Sequence, residues 1–275
     1  MKQLERADRP VVGGGRAWLR RELQHPTVLQ LLSILSIVAV WLLLSSLLGP
    51  RVLPGPLSTV DFLWQQLERG TLTFHIWMTM QRVLLAFALA MLLGIAAGVA
   101  MGASAILDKL LEAWLVTGLA IPRIVIVVAA YLLVGLSETA AIIAVALTVA
   151  PLVVAQMREG TRAMDTRLIE MARAFRRPPP LVWGKVVLPQ LLPFIVGTGR
   201  AAMSLTWKMV VLAELLGRTN GVGYQISFYF QMFNMRGILA YALAMIIVLA
   251  VIDQGLMRAV ERYAFRWRRP VKLMS

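Results

Sequence analysis

Of 275 residues, 59% are hydrophobic and 15% charged, whereas a soluble domain carries about 45–50% apolar and about 25% charged residues. So much apolar surface needs a lipid solvent. Cysteine is absent, which excludes disulfides, thiolate metal sites and a cysteine nucleophile. The formal net charge of +14 falls in blocks between apolar runs, the pattern of a membrane rim rather than of a nucleic-acid reader.

In chain order, a basic segment leads into an apolar run at 28–48. It resembles the charged and apolar parts of a signal peptide, but it is long enough to span and no convincing small-residue cleavage site follows. It is read as a membrane helix. Residues 49–60, with three prolines and two glycines, form a turn-rich link. Val60, Leu63, Trp64 and Leu67 then sit at helical spacing and predict a short surface helix over 59–70. About 20 apolar residues cross a bilayer core, and further spans are predicted at 83–103, 112–134, 139–157, 191–214 and 237–258. Pro122 and Arg123 interrupt the third, and Arg200 and Lys208 the fifth; a proline inside such a helix is tolerated where neighbours satisfy the freed carbonyl. The expectation is an all-α, polytopic membrane protein with about six transmembrane helices. It divides into a tail (1–27), the first helix with its link (28–74), a core (75–265) and a second tail (266–275).

Cations set the orientation. The basic tail to Arg21, the loop from Arg158 to Lys185 and the tail from Arg258 to Lys272 all fall on one side, with Lys109. They outnumber Arg51, Arg69, Arg82, Arg218 and Arg236 on the other. The positive-inside rule then puts both termini in the cytoplasm.

Loop 158–190 is too long and too patterned for a turn. Leu168, Met171, Ala172 and Phe175 recur at helical spacing among charges, which describes a short amphipathic helix. Pro178, Pro179 and Pro180 end it, and Leu181, Val182 and Trp183 form a second apolar patch before Leu188 and Pro189. The stripe must be covered by lipid, by its own bundle or by a soluble partner.

Glu170-Met171-Ala172, then Arg176 after three residues, then Val186-Val187-Leu188-Pro189 after nine more, resembles the coupling motif of ABC importer permeases. That motif runs Glu-Ala-Ala, Gly and Ile-x-Leu-Pro at the same spacing. Met171 stands where the motif has Ala, and Arg176 where it has the Gly that permits a sharp turn. Further pieces resemble the nitrate, sulfonate and taurine branch. They are Leu53-Pro54-Gly55-Pro56, Arg82 with Gly94, Gly98 and Gly102, Ile121-Pro122 with Gly135 and Glu138, and Arg200, Trp207, Ala213-Glu214 and Gly221-Val222-Gly223-Tyr224. Val128 and the run Leu133-Val134-Gly135 depart from that branch's third span.

The resemblance implies a type I ABC importer permease fold, a small anionic solute of the nitrate, sulfonate or taurine kind, and a bacterial inner membrane. Implied partners are an ATPase dimer, an extracytoplasmic solute-binding protein and a second permease chain, with ATP and magnesium held by the ATPase and no cofactor in this chain. Glu170, Met171, Ala172, Phe175, Arg176, Trp183, Leu188 and Pro189 would engage the ATPase; Glu170 could instead pair with Arg173 in its own helix. Gly94, Gly98 and Gly102, four apart, allow close helix approach, within the subunit or across a dimer.

Charges within spans mark a pathway or an internal pair. Arg200, Ser204, Trp207 and Glu214 follow helical spacing along one face, with Lys208 beside it and Arg123 near Pro122; they are the candidate solute path. Arg200 or Glu214 could instead pair with Asp253. No Gly-rich phosphate loop ending in Gly-Lys-Ser/Thr is present, so an ATPase activity of this chain is not expected. His25 and His75 are isolated in the sequence and begin no metal or nucleophile motif. A self-sufficient secondary transporter, using Glu214 and Asp253 for protons, and a structural or assembly role are the alternatives.

Overall fold

The computed structural model describes residues 26–257 and Arg262. His25 and both terminal tails lie outside the described residues. Every regular element among the described residues is helical. The chain divides into two compact units, Met1–Val60 and Asp61–Ser275.

In the first unit, α1 (Pro26–Leu48) presents an apolar surface around its whole circumference, as expected of a lipid-facing helix. Its end is tied to the link that follows. The Trp41 indole N–H donates to the Pro54 carbonyl at 3.0 Å, and the Ser45 hydroxyl to the Leu53 carbonyl at 2.8 Å. The link is shorter than expected, because α2 (Pro56–Glu68) already starts at Pro56. Proline suits a first helical position, where its missing N–H would have no partner.

The second unit is built on α3 (Thr71–Ala103) and α6 (Glu138–Arg162). They run parallel and close together, because Gly94, Gly98 and Gly102 of α3 face α6. A Cβ at Gly98 would lie 2.6 Å from the Val154 carbonyl, and one at Gly102 would lie 2.8 Å from the Arg158 carbonyl. The glycine stripe is therefore filled within the chain. Since α3 begins twelve residues before the predicted span, Arg82 is a helical residue and not a loop cation.

The third expected span is not one helix. α4 (Ala105–Ala120) and α5 (Arg123–Val134) meet at a bend of 98°. Pro122 has no N–H to donate and forces Ile121 out of the helical region, to φ −63°, ψ 129°. The helical conformation is interrupted at Ile121 and Pro122, so this proline breaks the helix instead of merely kinking it.

After α6 come α7 (Thr166–Ala174) and α8 (Pro179–Val182). A π-helical turn, Trp183–Val187, runs into α9 (Leu188–Gly217). α10 (Val222–Gln231) was not expected from the sequence; α11 (Met235–Val251) follows and passes into a second π-helical turn, Ile252–Met257. Among the described residues, four helices are long and apolar enough to cross a membrane, or five if the bent pair counts as one. The sixth expected span corresponds to the 17-residue apolar α11.

The core lies between α3, α5, α6 and α9 and is made largely of small side chains, among them Ala86, Ala90, Ala140, Ala144 and Ala202. Small residues are what close packing in lipid requires, because lipid tails offer no hydrophobic penalty to drive association.

Candidate functional site

Three regions of the second unit carry chemistry, beginning with the α7–α8 hairpin. The Asp165 side chain caps α7 by accepting from the Arg167 N–H at 2.9 Å, which satisfies one of the four orphan donors of a helix start. The helix ends in a double hydrogen bond. Arg176 N–H donates to the Arg173 carbonyl at 2.8 Å and Arg177 N–H to the Ala172 carbonyl at 3.1 Å, the Schellman closure normally made by a left-handed glycine. Arg176 adopts that conformation, with φ 51°. The bend expected of the motif glycine is thus made with arginine, and Pro178, at φ −62° and ψ 144°, sends the chain on in extended form to α8.

The hairpin has an open face. Ala172, Val182 and Val187 are buried, while Leu168, Met171, Phe175, Leu181, Trp183 and Leu188 are exposed. Met171, Phe175, Arg177, Leu181 and Lys185 help to line a groove of about 500 Å³. Glu170 is exposed and has no ion-pair partner among the described residues, Arg173 included. Pro189 sits in the first turn of α9. The hairpin is fixed at its root, where the Gln190 side chain accepts from the Asp165 N–H at 2.8 Å and donates to the Val186 carbonyl at 3.2 Å. At the same end, Arg158 grips Asp108 through two bonds of 2.5 and 2.8 Å, and Arg162 reaches the same carboxylate at 2.5 Å. These pairs fasten α4 to α6, and nothing in the sequence had joined them.

The second region lies at the opposite end and is centred on Arg82, which is 3% exposed. All five of its donors are used. Nε and Nη2 grip Glu138, each at 2.7 Å; Nη1 donates to Glu214 at 2.6 Å and to the Asn220 carbonyl at 2.9 Å; Nη2 also donates to the Asn220 side chain. Glu214, 1% exposed, accepts in addition from the Thr79 hydroxyl at 2.9 Å and the Gly223 N–H at 2.8 Å. The Val222 N–H donates to Thr79 at 2.8 Å, and the Gly221 N–H to His75 Nδ1 at 3.0 Å. Three side chains from α3 and α9 therefore cap the start of α10, where a carboxylate is also favoured by the helix dipole. Gly221 has φ 109°, and a side chain there would overlap the Glu214 carboxylate, which is why the sequence reads Gly-Val-Gly. His75, isolated in the sequence, is part of this clasp.

The candidate path residues separate on α9. Gly197, Ala201 and Lys208 are exposed and mark the centre of its open stripe; Arg200 and Ser204 lie along the stripe's border. Trp207 and Glu214 do not join them. Both are 1% exposed and face inward, because at the Arg82 end the same helix face is covered by α3, α5 and α10. Tyr131 of α5, for example, donates to the Ala213 carbonyl at 2.9 Å. Arg200 meets Asp253 in a two-bond pair, Nε to Oδ1 at 2.9 Å and Nη2 to Oδ2 at 2.8 Å. Of the two partners considered for Asp253, it takes Arg200, while Glu214 takes Arg82. Arg123 is exposed at the start of α5, beside the 98° bend. No group of three or more potential metal ligands occurs among the described residues.

Known proteins resemble this arrangement. A probable ABC transporter permease protein of Brucella abortus (strain 2308) is 28% identical over 87% of this chain and 95% of its own. A putative aliphatic sulfonates transport permease protein of Bacillus subtilis is 28% identical over 84% of each. A chain of the inward-facing MetNI methionine ABC transporter superposes with a TM-score of 0.63 at 21% identity, covering 74% of this chain and 98% of that one, and so shares the fold. Residues 90–269 match the family described as the binding-protein-dependent transport system inner membrane component. That match takes in the hairpin, α9 and nearly all of the core, and the chain belongs to this family.

Proposed function

We propose that this chain is the membrane subunit through which an ATP-driven importer passes a small anionic solute, and that the α7–α8 hairpin is the lever by which a separate ATPase moves it. The observation that carries the reading is the hairpin's open face. An apolar groove of about 500 Å³, next in sequence to a carboxylate, Glu170, with no ion-pair partner among the described residues, suits a protein partner that brings both apolar and cationic groups. The root is stiff, so a push on α7 reaches α9 as a rigid displacement.

Family membership carries the general expectation of an ATPase and a solute-binding protein. ATP and magnesium belong on the ATPase. Two permease chains, most simply two copies of this one, enclose the path. The cations between Arg158 and Lys185 support a cytoplasmic position for the hairpin end, with the Arg82 end outside. A sulfonate-like solute is supported by the Bacillus subtilis relative and by the resemblance to the nitrate, sulfonate and taurine branch. It also suits the cations Arg123, Arg200 and Lys208 in the spans.

The test is reconstitution in liposomes. This chain alone should support no uptake; addition of its ATPase, binding protein and ATP should start it. Glu170→Lys should abolish ATP-driven uptake while leaving the protein inserted and folded. Uptake by the chain alone, driven by a proton gradient, would replace this reading with that of a secondary transporter.

A further inference from the structure

The third region, the wall between α9 and the end of α11, is apolar except at one pole. Gly197, Arg200, Ala201, Ser204, Leu249 and Asp253 are among the residues around an open cavity of about 630 Å³, within the range of about 300–1,000 Å³ usual for small-molecule sites. Its polar pole is the Arg200–Asp253 pair, whose two side chains are 40% and 41% exposed, with the Ser204 hydroxyl one turn along from Arg200. Asp253 stands in the π-helical turn Ile252–Met257. A π turn inserts an extra residue into the helix and re-aims the side chains around it, and such turns concentrate at functional sites. A Cβ on Gly197 would meet nothing within 4 Å, so the cavity mouth is unobstructed there. One turn beyond Ser204, Lys208 is exposed on the open stripe and has no ion-pair partner among the described residues. A lysine inside a membrane span is costly unless it faces water or a counter-charge.

We infer that this cavity is an anion site on the translocation path, taking a small organic anion with an oxyanion head such as a sulfonate. Arg200 binds the head, Ser204 donates to it, and Lys208 draws it along the helix. The guanidinium matches an oxyanion through parallel N–H donors. Asp253 holds the guanidinium aimed into the cavity and weakens its field, so that an anion shares Arg200 and can leave again. Among the described residues two cations stand against one carboxylate on this wall, a balance that disfavours cationic solutes. The inference rests on the permease reading and names the site and ligand chemistry it lacks.

The chain has no cysteine, so Ser204→Cys introduces a unique thiol. In permeabilised membranes holding the full transporter, labelling of this chain is followed with two methanethiosulfonate reagents of similar size, one bearing a sulfonatoethyl group and one a trimethylammonioethyl group. Rates are normalised to those with a free thiol. The sulfonate reagent is expected to react about tenfold faster, as a cationic wall concentrates it. Arg200→Gln should remove that preference, Arg200→Lys should keep most of it, and Asp253→Asn should enlarge it. Millimolar ethanesulfonate should slow the labelling. Ala201→Cys serves as the reporter if Ser204→Cys does not insert. Equal rates for the two reagents overturn the inference, as does a thiol that neither reaches because lipid or a second chain fills the cavity. Neither result bears on ATP-driven uptake, which tests the permease reading separately.

Discussion

Arg82 and Glu214 stand 132 positions apart in the chain, yet they meet at 2.6 Å with both side chains withdrawn from solvent. Four helices converge on this pair, and its charges are affordable only together. Glu214→Leu leaves the guanidinium buried with part of its compensation gone, at a cost of about 3–5 kcal/mol. Arg82→Met should cost as much or more. The double variant should lose clearly less than the sum, since it leaves neither charge of the pair buried without the other. Denaturation in detergent measures all three, and strictly additive losses would show that the two residues do not act as a unit.

A methyl group on Gly98 would press on the Val154 carbonyl, so α3 and α6 would have to separate. Gly98→Val should destabilise by about 1–3 kcal/mol. Gly197→Ala, which projects into open space in the interior of α9, should instead stabilise by about 0.5–1 kcal/mol. Thermal unfolding of the purified variants distinguishes packing from helix propensity, which alone would favour both substitutions over glycine.

The left-handed Arg176 costs about 1–2 kcal/mol of backbone strain relative to glycine. Arg176→Gly should recover about 1 kcal/mol and keep the Schellman bonds. Amide exchange at Arg177, whose N–H closes the motif, should slow. Faster exchange would mean that the arginine side chain, and not the backbone, holds the turn.

Gln190 joins the start of α7 to the base of α9. Gln190→Ala should cost about 1 kcal/mol of local stability and reduce solute imported per ATP hydrolysed, with ATP hydrolysis itself less affected. Unchanged stoichiometry in reconstituted liposomes would show that the lever does not depend on this tie.

What the sequence made legible is local. The hydrophobic runs predict α1, α3, α6 and α9, because lipid imposes a length and a composition that are read off directly. The four-residue spacing of Gly94, Gly98 and Gly102 predicts a close contact, although not its partner. The hairpin follows from spacing and three prolines. Most of the misses are matters of partner choice. Arg82 looked like a loop cation because its two carboxylates, Glu138 and Glu214, are distant in sequence. Periodicity placed Arg200, Ser204, Trp207 and Glu214 on one helix face, which geometry respects, but what covers that face changes along its length. Pro122 could kink or break, and only the surroundings decide. For α10 a signal existed: Gly221 opens a tight turn, and Val222, Ile226 and Tyr229 then recur at helical spacing.

The π turn at the foot of α9 closes with the Leu188 N–H reaching back five residues to the Trp183 carbonyl. One supernumerary residue has been absorbed there, between the part of the chain that a motor would push and the part that a solute would meet. The compass bearing of the hairpin about the α9 axis is consequently set by counting. Removing a single residue such as the exposed Gly184 would leave every chemical group intact and swing the hairpin by roughly a quarter turn, pointing it away from whatever it is built to grasp.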